Sequence, residues 1–392
     1  MEHKGRPLQP MPRVLILISS LSMFIMGFSD VLKGSAVAEM VSSLQVDYAL
    51  GGIILGITYF GFFVGTLATV PLLKKIPVAK MLSASVVITA LGVLLFGFAS
   101  SSILIIFATF LTGMGCGLID VSANLSTRIA ASPDRVGREL NQVAFFHGVG
   151  AILAPLFATM VLGYFTSWQY IYRLAAIVLV VSVFIVTRGV SRSGLDDRVV
   201  YEPNQKFVWT WQFVVLGGFL FWYMTLEAGI SGWLIAYVRQ EAALSEKLSN
   251  TYLSLFFIML TIGRFLSSRY VDRIGLLKTI IIHVLAVLIM VSLPLLFVQA
   301  HFLLPLSGLF MAPLFPTTVA LLVDDLGMVG LRTTGAFFSI AGLGGLVGPW
   351  LIGYISREVS LRIGFGILPL FALAFIVLTI IYLLQKRRKV AI

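Results

Sequence analysis

Long apolar stretches separated by short polar breaks recur along almost the whole chain. A helix rises about 1.5 Å per residue and needs about 20 residues to cross the hydrocarbon core of a bilayer. The pattern predicts twelve such helices, at 14–38, 47–73, 79–99, 102–127, 140–163, 169–187, 210–238, 249–268, 276–298, 302–323, 333–356 and 361–384. The first is too long for a secretory leader, carries Asp30 and Lys33, and shows no small-residue cleavage site before the second, so it is expected to stay in the protein. The longest polar break is 188–209, with the run SRSGLDDRVVYEPNQK containing Gly194 and Pro203. It predicts an N-terminal six-helix bundle over 1–187, a cytoplasmic linker over 188–209 and a C-terminal six-helix bundle over 210–392.

The two sets of six match each other at a nearly fixed offset, the signature of a duplicated unit. Gly148, Gly150 and Pro155 of GVGAILAP answer Gly342, Gly344 and Pro349 of GLGGLVGP at 194 residues. Gly113 answers Gly308 at 195, Asp30 answers Glu227 at 197, and Gly65 answers Gly263 at 198. Glycines at these places let helices approach closely, and a following proline loosens the helix.

Composition excludes most other classes. Of 392 residues 59% are hydrophobic and 11% charged, and the mean hydropathy is +1.01. No soluble domain of this length has enough interior to hide that much apolar surface. The net charge of +11 does not point to nucleic acid, because the basic residues alternate between connections. Lys4, Arg6 and Arg13 precede the first span; Lys74, Lys75 and Lys80 follow the second, Arg128, Arg135 and Arg138 the fourth, and Arg188, Arg192, Arg198 and Lys206 the sixth. Arg269, Arg273 and Lys278 follow the eighth, Arg332 the tenth, and Lys386, Arg387, Arg388 and Lys389 the last. By the positive-inside rule both termini are cytoplasmic, and the expected location is the cytoplasmic membrane. Cys116 is the single cysteine, so neither an intramolecular disulfide nor a thiolate metal cluster is expected. There is no HExxH, P-loop or nucleophile-elbow motif in a suitable context. An enzyme is therefore not expected, nor is any cofactor or metal, and the chain is expected to be a monomer.

Charges at membrane depth cost about 2.5–3.5 kcal/mol each on insertion scales, so each should face a cavity, pair, or take part in function. Asp30 and Lys33 share one helical face, as a neutralising pair or as a pair that exchanges partners when a proton or solute arrives. Lys33 is alternatively a contact for an anionic solute. Asp120 has no base within one turn of its own helix, which suits either proton or cation coupling or a cross-helix bond. Glu227, with Trp222, Tyr223 and Trp233 near it in sequence, combines an acceptor with aromatic faces, as hydroxylated ligands require. Its alternative is a hydrogen bond between helices. His147 is a candidate proton relay or ligand donor, or a packing residue. Arg264 lies near a helix end and is expected to snorkel or to latch to Asp272.

The eighth connection, SRYVDRIGLLK, resembles the cytoplasmic loop signature of the major facilitator superfamily, Gly-x-x-x-Asp-Arg-x-Gly, with Ser268 in place of the first glycine. By that resemblance Asp272 and Arg273, with Arg264, form a conformational latch; the matching first-half loop, VPLLKKIPVAK, has Lys74 where the acid should stand. Span four, GMGCGLIDVSANLSTRIA, resembles the branch of that superfamily containing fucose-proton symporters, glucose-mannose symporters and animal sodium-dependent glucose transporters. ELNQVAFFHGVGAILAPL, FWYMTLEAGISGWLIAYV and MAPLFPTTVALL agree with it. The resemblance implies an all-α membrane fold of twelve transmembrane helices in two pseudo-symmetric six-helix bundles around a central cavity. It also implies alternating access by a carrier coupling a small hydroxylated solute, a monosaccharide, to a proton or sodium ion. Asp120 takes the position of the coupling acid; Asn124, Asn141, Gln142 and Glu227 line the cavity. Two features depart from the branch: its span-one acid falls at Gly34 rather than Asp30, and its span-five histidine falls at Ala144 rather than His147. An exporter of amphipathic compounds or lipids driven by protons is the alternative, since the chain holds 30 phenylalanines.

Overall fold

The computed structural model describes residues 11–43, 47–132, 135–193, 210–332 and 334–390. Twelve helices among these are long and apolar enough to cross a membrane. The first six are Arg13–Val41, Tyr48–Leu73, Val78–Gly97, Ser102–Ala130, Arg138–Leu162 and Gln169–Ser191. The second six are Trp211–Glu241, Glu246–Ser267, Leu276–Leu296, Val298–Leu326, Ala336–Glu358 and Leu361–Lys386. No strand occurs among the described residues.

Local chemistry sets several of the ends. Asp47, Ser101, Thr210, Ser245 and Ser360 each accept a hydrogen bond from the backbone N–H three residues on, which satisfies one of the orphan donors that open a helix. Span ten is not one straight helix. It is a 3₁₀ turn, Val298–Phe302, then Leu303–Met311 and Leu314–Arg332, and the break falls beside Pro313, which has no N–H to continue the ladder. Span twelve is interrupted likewise between Leu361–Phe365 and Leu368–Val390. The sixth helix continues to Ser193, past the predicted start of the linker, and 194–209 lie outside the described residues.

Helix pairing repeats between the sets of six. Spans 1 and 5, 2 and 4, 3 and 4, and 3 and 6 pack together, and so do 7 and 11, 8 and 10, 9 and 10, and 9 and 12. Between the sets, span 2 packs on span 11 and span 5 on span 8, with spans 1 and 7 in contact at the centre. The matched glycines make the same approaches in both halves. A Cβ on Gly150 would stand 2.3 Å from the Phe24 carbonyl, and one on Gly344 would stand 2.1 Å from that of Phe221. Phe24 and Phe221 are themselves 197 apart, the offset of Asp30 and Glu227. Gly113 against Thr58 and Gly308 against Phe256 repeat the pattern. Backbones this close leave no room for a side chain, so the glycines are explained by packing in each half.

Candidate functional site

The halves meet along spans 1, 2, 5, 7, 8 and 11, and their polar contacts gather toward one end. There the Arg239 guanidinium donates to Glu39 at 2.9 Å, the Tyr48 hydroxyl donates to Gln240, and Arg357 lies 3.9 Å from Asp47. Deeper in, the Ser35 hydroxyl donates to Asn250 at 2.6 Å with both residues buried, and that of Ser254 donates to the Ile152 carbonyl at 3.0 Å. Spans 2 and 11 close on glycine: a Cβ on Gly52 would lie 2.8 Å from the Pro349 carbonyl, and one on Gly56 2.7 Å from that of Leu346. The contacts loosen near mid-depth, where a Cβ on Gly148 would meet Thr261 at 3.3 Å and one on Gly342 would meet Phe63 at 3.5 Å. Beyond that level Asn141 and Gln142 on span five are exposed. The halves are therefore packed tightly at the end holding Tyr48 and Arg239 and more loosely toward the other.

At the head of the cleft lies a cluster of ionisable side chains from six helices. On span one Lys33 forms an ion pair with Asp30 one turn away. The Lys33 amine also sits 3.9 Å from the centre of the Tyr59 ring on span two, a cation–π contact. From the other half, the Tyr223 hydroxyl donates to Glu227 one turn later on span seven. Arg264 of span eight reaches that same hydroxyl and lies within electrostatic reach of Glu227 and of His147 on span five. Tyr59 lies within reach of Asp30, Glu227 and Tyr223 together, which places it where the two pairs face each other.

Asp120 is set one turn beyond Cys116 on span four, and Cys116 is within electrostatic reach of it and of both Asp30 and Lys33. Its side chain accepts from the Asn124 amide at 3.1 Å, and the same amide donates to the Asp120 carbonyl at 2.8 Å. Among the described residues Asp120 has no ion-pair partner. Asp30 has an ion-pair partner, Glu227 has a base within electrostatic reach, and Asp120 is held by an amide alone.

Several predicted residues stand elsewhere. Trp233 is fully buried at the shut end, where its indole N–H donates to the Pro349 carbonyl at 2.9 Å and its ring packs on Tyr48. Trp222 packs its ring on Phe371 of span twelve. Neither opens on the cleft in this conformation. Arg264, an exposed residue, reaches the Tyr223 hydroxyl, and no ion pair joins it to Asp272 among the described residues. Asp272 and Arg273 sit exposed on the one-turn helix Val271–Ile274. That turn is anchored instead by Tyr270, whose hydroxyl meets His283 Nε2 at 2.7 Å while His283 Nδ1 meets the Thr279 carbonyl at 2.8 Å. A carbonyl only accepts, so Nδ1 carries the proton and Nε2 takes that of Tyr270; burial raises the Tyr270 pKa above the usual tyrosine value.

Gly34 explains one departure from the sugar-transporter branch: a Cβ there would stand 3.0 Å from the Ser231 carbonyl of span seven and 3.3 Å from Leu253. The position is a crossing of helices with no room for an acid. Tyr59 and the Glu39–Arg239 bond escaped the sequence reading. The Thr58–Tyr59 step in a mostly apolar stretch of span two was the available signal for the first; the second had none, since both residues lie near helix ends.

The family model described as Major Facilitator Superfamily matches residues 19–331. A glucose/galactose transporter of Brucella abortus is 22% identical over 378 residues, covering 91% of each chain. The glucose/mannose transporter of Bacillus subtilis is 20% identical over 374 residues, covering 90% of each. Among solved structures, a bacterial homologue of the human lysosomal transporter Spinster superposes with a TM-score of 0.77 at 13% identity, covering 98% of both chains. An E. coli fucose:proton symporter gives 0.65 at 17% identity, covering 93% of this chain and 97% of that one.

Proposed function

This chain belongs to the Major Facilitator Superfamily, and from that premise we propose that it takes up a small hydroxylated solute, a monosaccharide, by alternating access coupled to a proton or sodium gradient. The observation that carries the reading is the charge balance of the cluster. Lys33 answers Asp30 and Arg264 is set against Glu227, so the site offers paired polar groups rather than a net charge for an ionic solute. Carboxylates, amides and phenols that share hydrogen bonds with adjacent hydroxyls suit a neutral sugar, and the sequence relatives are named for hexoses. Glu227, Tyr223, Asn124 and His147 surround the solute, with Asn141 and Gln142 on its route.

Asp120 is the coupling acid. With no base beside it, it gains and loses a proton or sodium ion as the halves rock, so that ion and solute move on one conformational cycle. The alternation of basic connections supports a cytoplasmic position for the loosely packed end and an outer position for the tightly packed one, with Asp272 and Arg273 latching when the cytoplasmic side closes. The protein works as a monomer with both termini inside. In proteoliposomes, an inward proton or sodium gradient drives accumulation of at least one member of a panel of labelled monosaccharides. Failure across the panel, with gradient-driven efflux of an amphipathic dye, would replace this reading with an exporter.

A further inference from the structure

We propose that Lys33 is a tethered counter-cation that keeps Asp30 out of ion coupling, so that each cycle moves one external cation, on Asp120, and not two. The proposal rests on the role given to Asp120 above. The geometry behind it is the way span one presents its pair. The Asp30 side chain is 25% exposed while the Lys33 side chain is 8% exposed. The ammonium is bound to the carboxylate on one side and faces the Tyr59 ring on the other. Tyr59 is itself held from the opposite half: a Cβ on Gly345 would stand 2.5 Å from its ring. A proton or sodium ion arriving at Asp30 therefore meets a carboxylate already occupied by a cation with no free path away.

Groups within electrostatic reach of Asp30 include Tyr59, Cys116, His147, Tyr172 and Glu227, from spans two, four, five, six and seven. None of these supplies a permanent positive charge, and the ion pair recorded for Asp30 among the described residues is with Lys33. The duplicated half does this differently. The position matching Lys33 at the offset of 197 is Ile230, and Glu227 receives its base from the neighbouring helix through Arg264. An anion at membrane depth needs a countercharge; in span one the chain carries its own, and a mobile ion is needed only where it does not.

Lys33→Met in the full-length protein tests this with two readouts. In sodium-free buffer at neutral pH, the infrared difference spectrum of Lys33→Met against the parent gains one protonated-carboxyl C=O band, which is absent in the Asp30→Asn/Lys33→Met double variant and in Lys33→Arg. In proteoliposomes, the number of cations moved per solute, taken from the reversal potential, doubles from one to two in Lys33→Met and returns to one in the double variant. The infrared readout needs no solute, so it decides the role of Lys33 even if no monosaccharide is carried. No new carboxyl band, or an unchanged ratio in a Lys33→Met protein that still transports, overturns the proposal. So does a double variant that exchanges solute but no longer accumulates it, because Asp30 would then be carrying an ion itself.

Discussion

Replacing Gly52 by alanine should open the end of the cleft that is shut here. The added methyl would stand 2.8 Å from the Pro349 carbonyl and 3.1 Å from both Gly353 Cα and the Trp350 carbonyl. Those three atoms all belong to span eleven, across the seam. Backbone cannot yield as a side-chain tip would, so spans two and eleven must separate by several tenths of an ångström and lose their contact. Overpacking of this kind costs about 1–3 kcal/mol. Because the strain exists only while this end is closed, it acts on the equilibrium between conformations: at about 1.4 kcal/mol per factor of ten, the opposite-facing state gains roughly 5-fold to 150-fold. Spin labels at Ser100 and Lys247, exposed on the two halves at this end, in a Cys116→Ala background, would read it as growth of a longer distance. Gly150→Ala is the control. Its methyl would meet the Phe24 carbonyl at 2.3 Å within one half, so it should lower thermal stability without lengthening that distance. An unchanged distance distribution in a folded Gly52→Ala protein would refute the assignment of this seam as the gate.

Three further outcomes follow from the site. Asp120→Asn should abolish gradient-driven accumulation while solute exchange across the membrane persists, measured by counterflow in proteoliposomes. Glu39→Arg and Arg239→Glu should each weaken closure of the end that holds Tyr48, and the double swap should restore it, read from the same label pair; each single change should cost at least the ~1 kcal/mol that an exposed ion pair contributes. Tyr270→Phe removes the proton that His283 Nε2 accepts and should cost about 0.5–1.5 kcal/mol of thermal stability, with transport retained.

The twelve spans were legible because bilayer thickness imposes one length on every helix, and the duplication because close approach of helices admits only glycine. Gly150 and Gly344, matched by offset alone, each sit against the first helix of their own half. Span ten was drawn as one helix because a hydropathy pattern does not register the missing N–H of Pro313. The partners in the cluster were less legible. Asp30 and Lys33 are one turn apart, so their pairing could be read from spacing. Arg264 is read from the sequence as snorkelling or latching to Asp272, and it lies within reach of Tyr223 and Glu227 on another helix. Tyr59 meets Lys33, and Arg239 meets Glu39, only after spans separated by long stretches of chain are packed, and nothing in local periodicity records such a meeting. Trp233 shows the converse: an aromatic near an acid in sequence suggested a sugar platform, but its indole is spent on the Pro349 carbonyl at the gate.

Coupling of solute to an ion is the step on which the transport cycle depends. The most direct measurement is the steady-state ratio of internal to external labelled monosaccharide in proteoliposomes under an inward proton or sodium gradient, before and after an ionophore collapses that gradient. The ratio should exceed one and return to one on collapse, and in Asp120→Asn it should stay at one throughout. A ratio that exceeds one and is unmoved by collapse, or an Asp120→Asn protein that accumulates solute as the parent does, would contradict it.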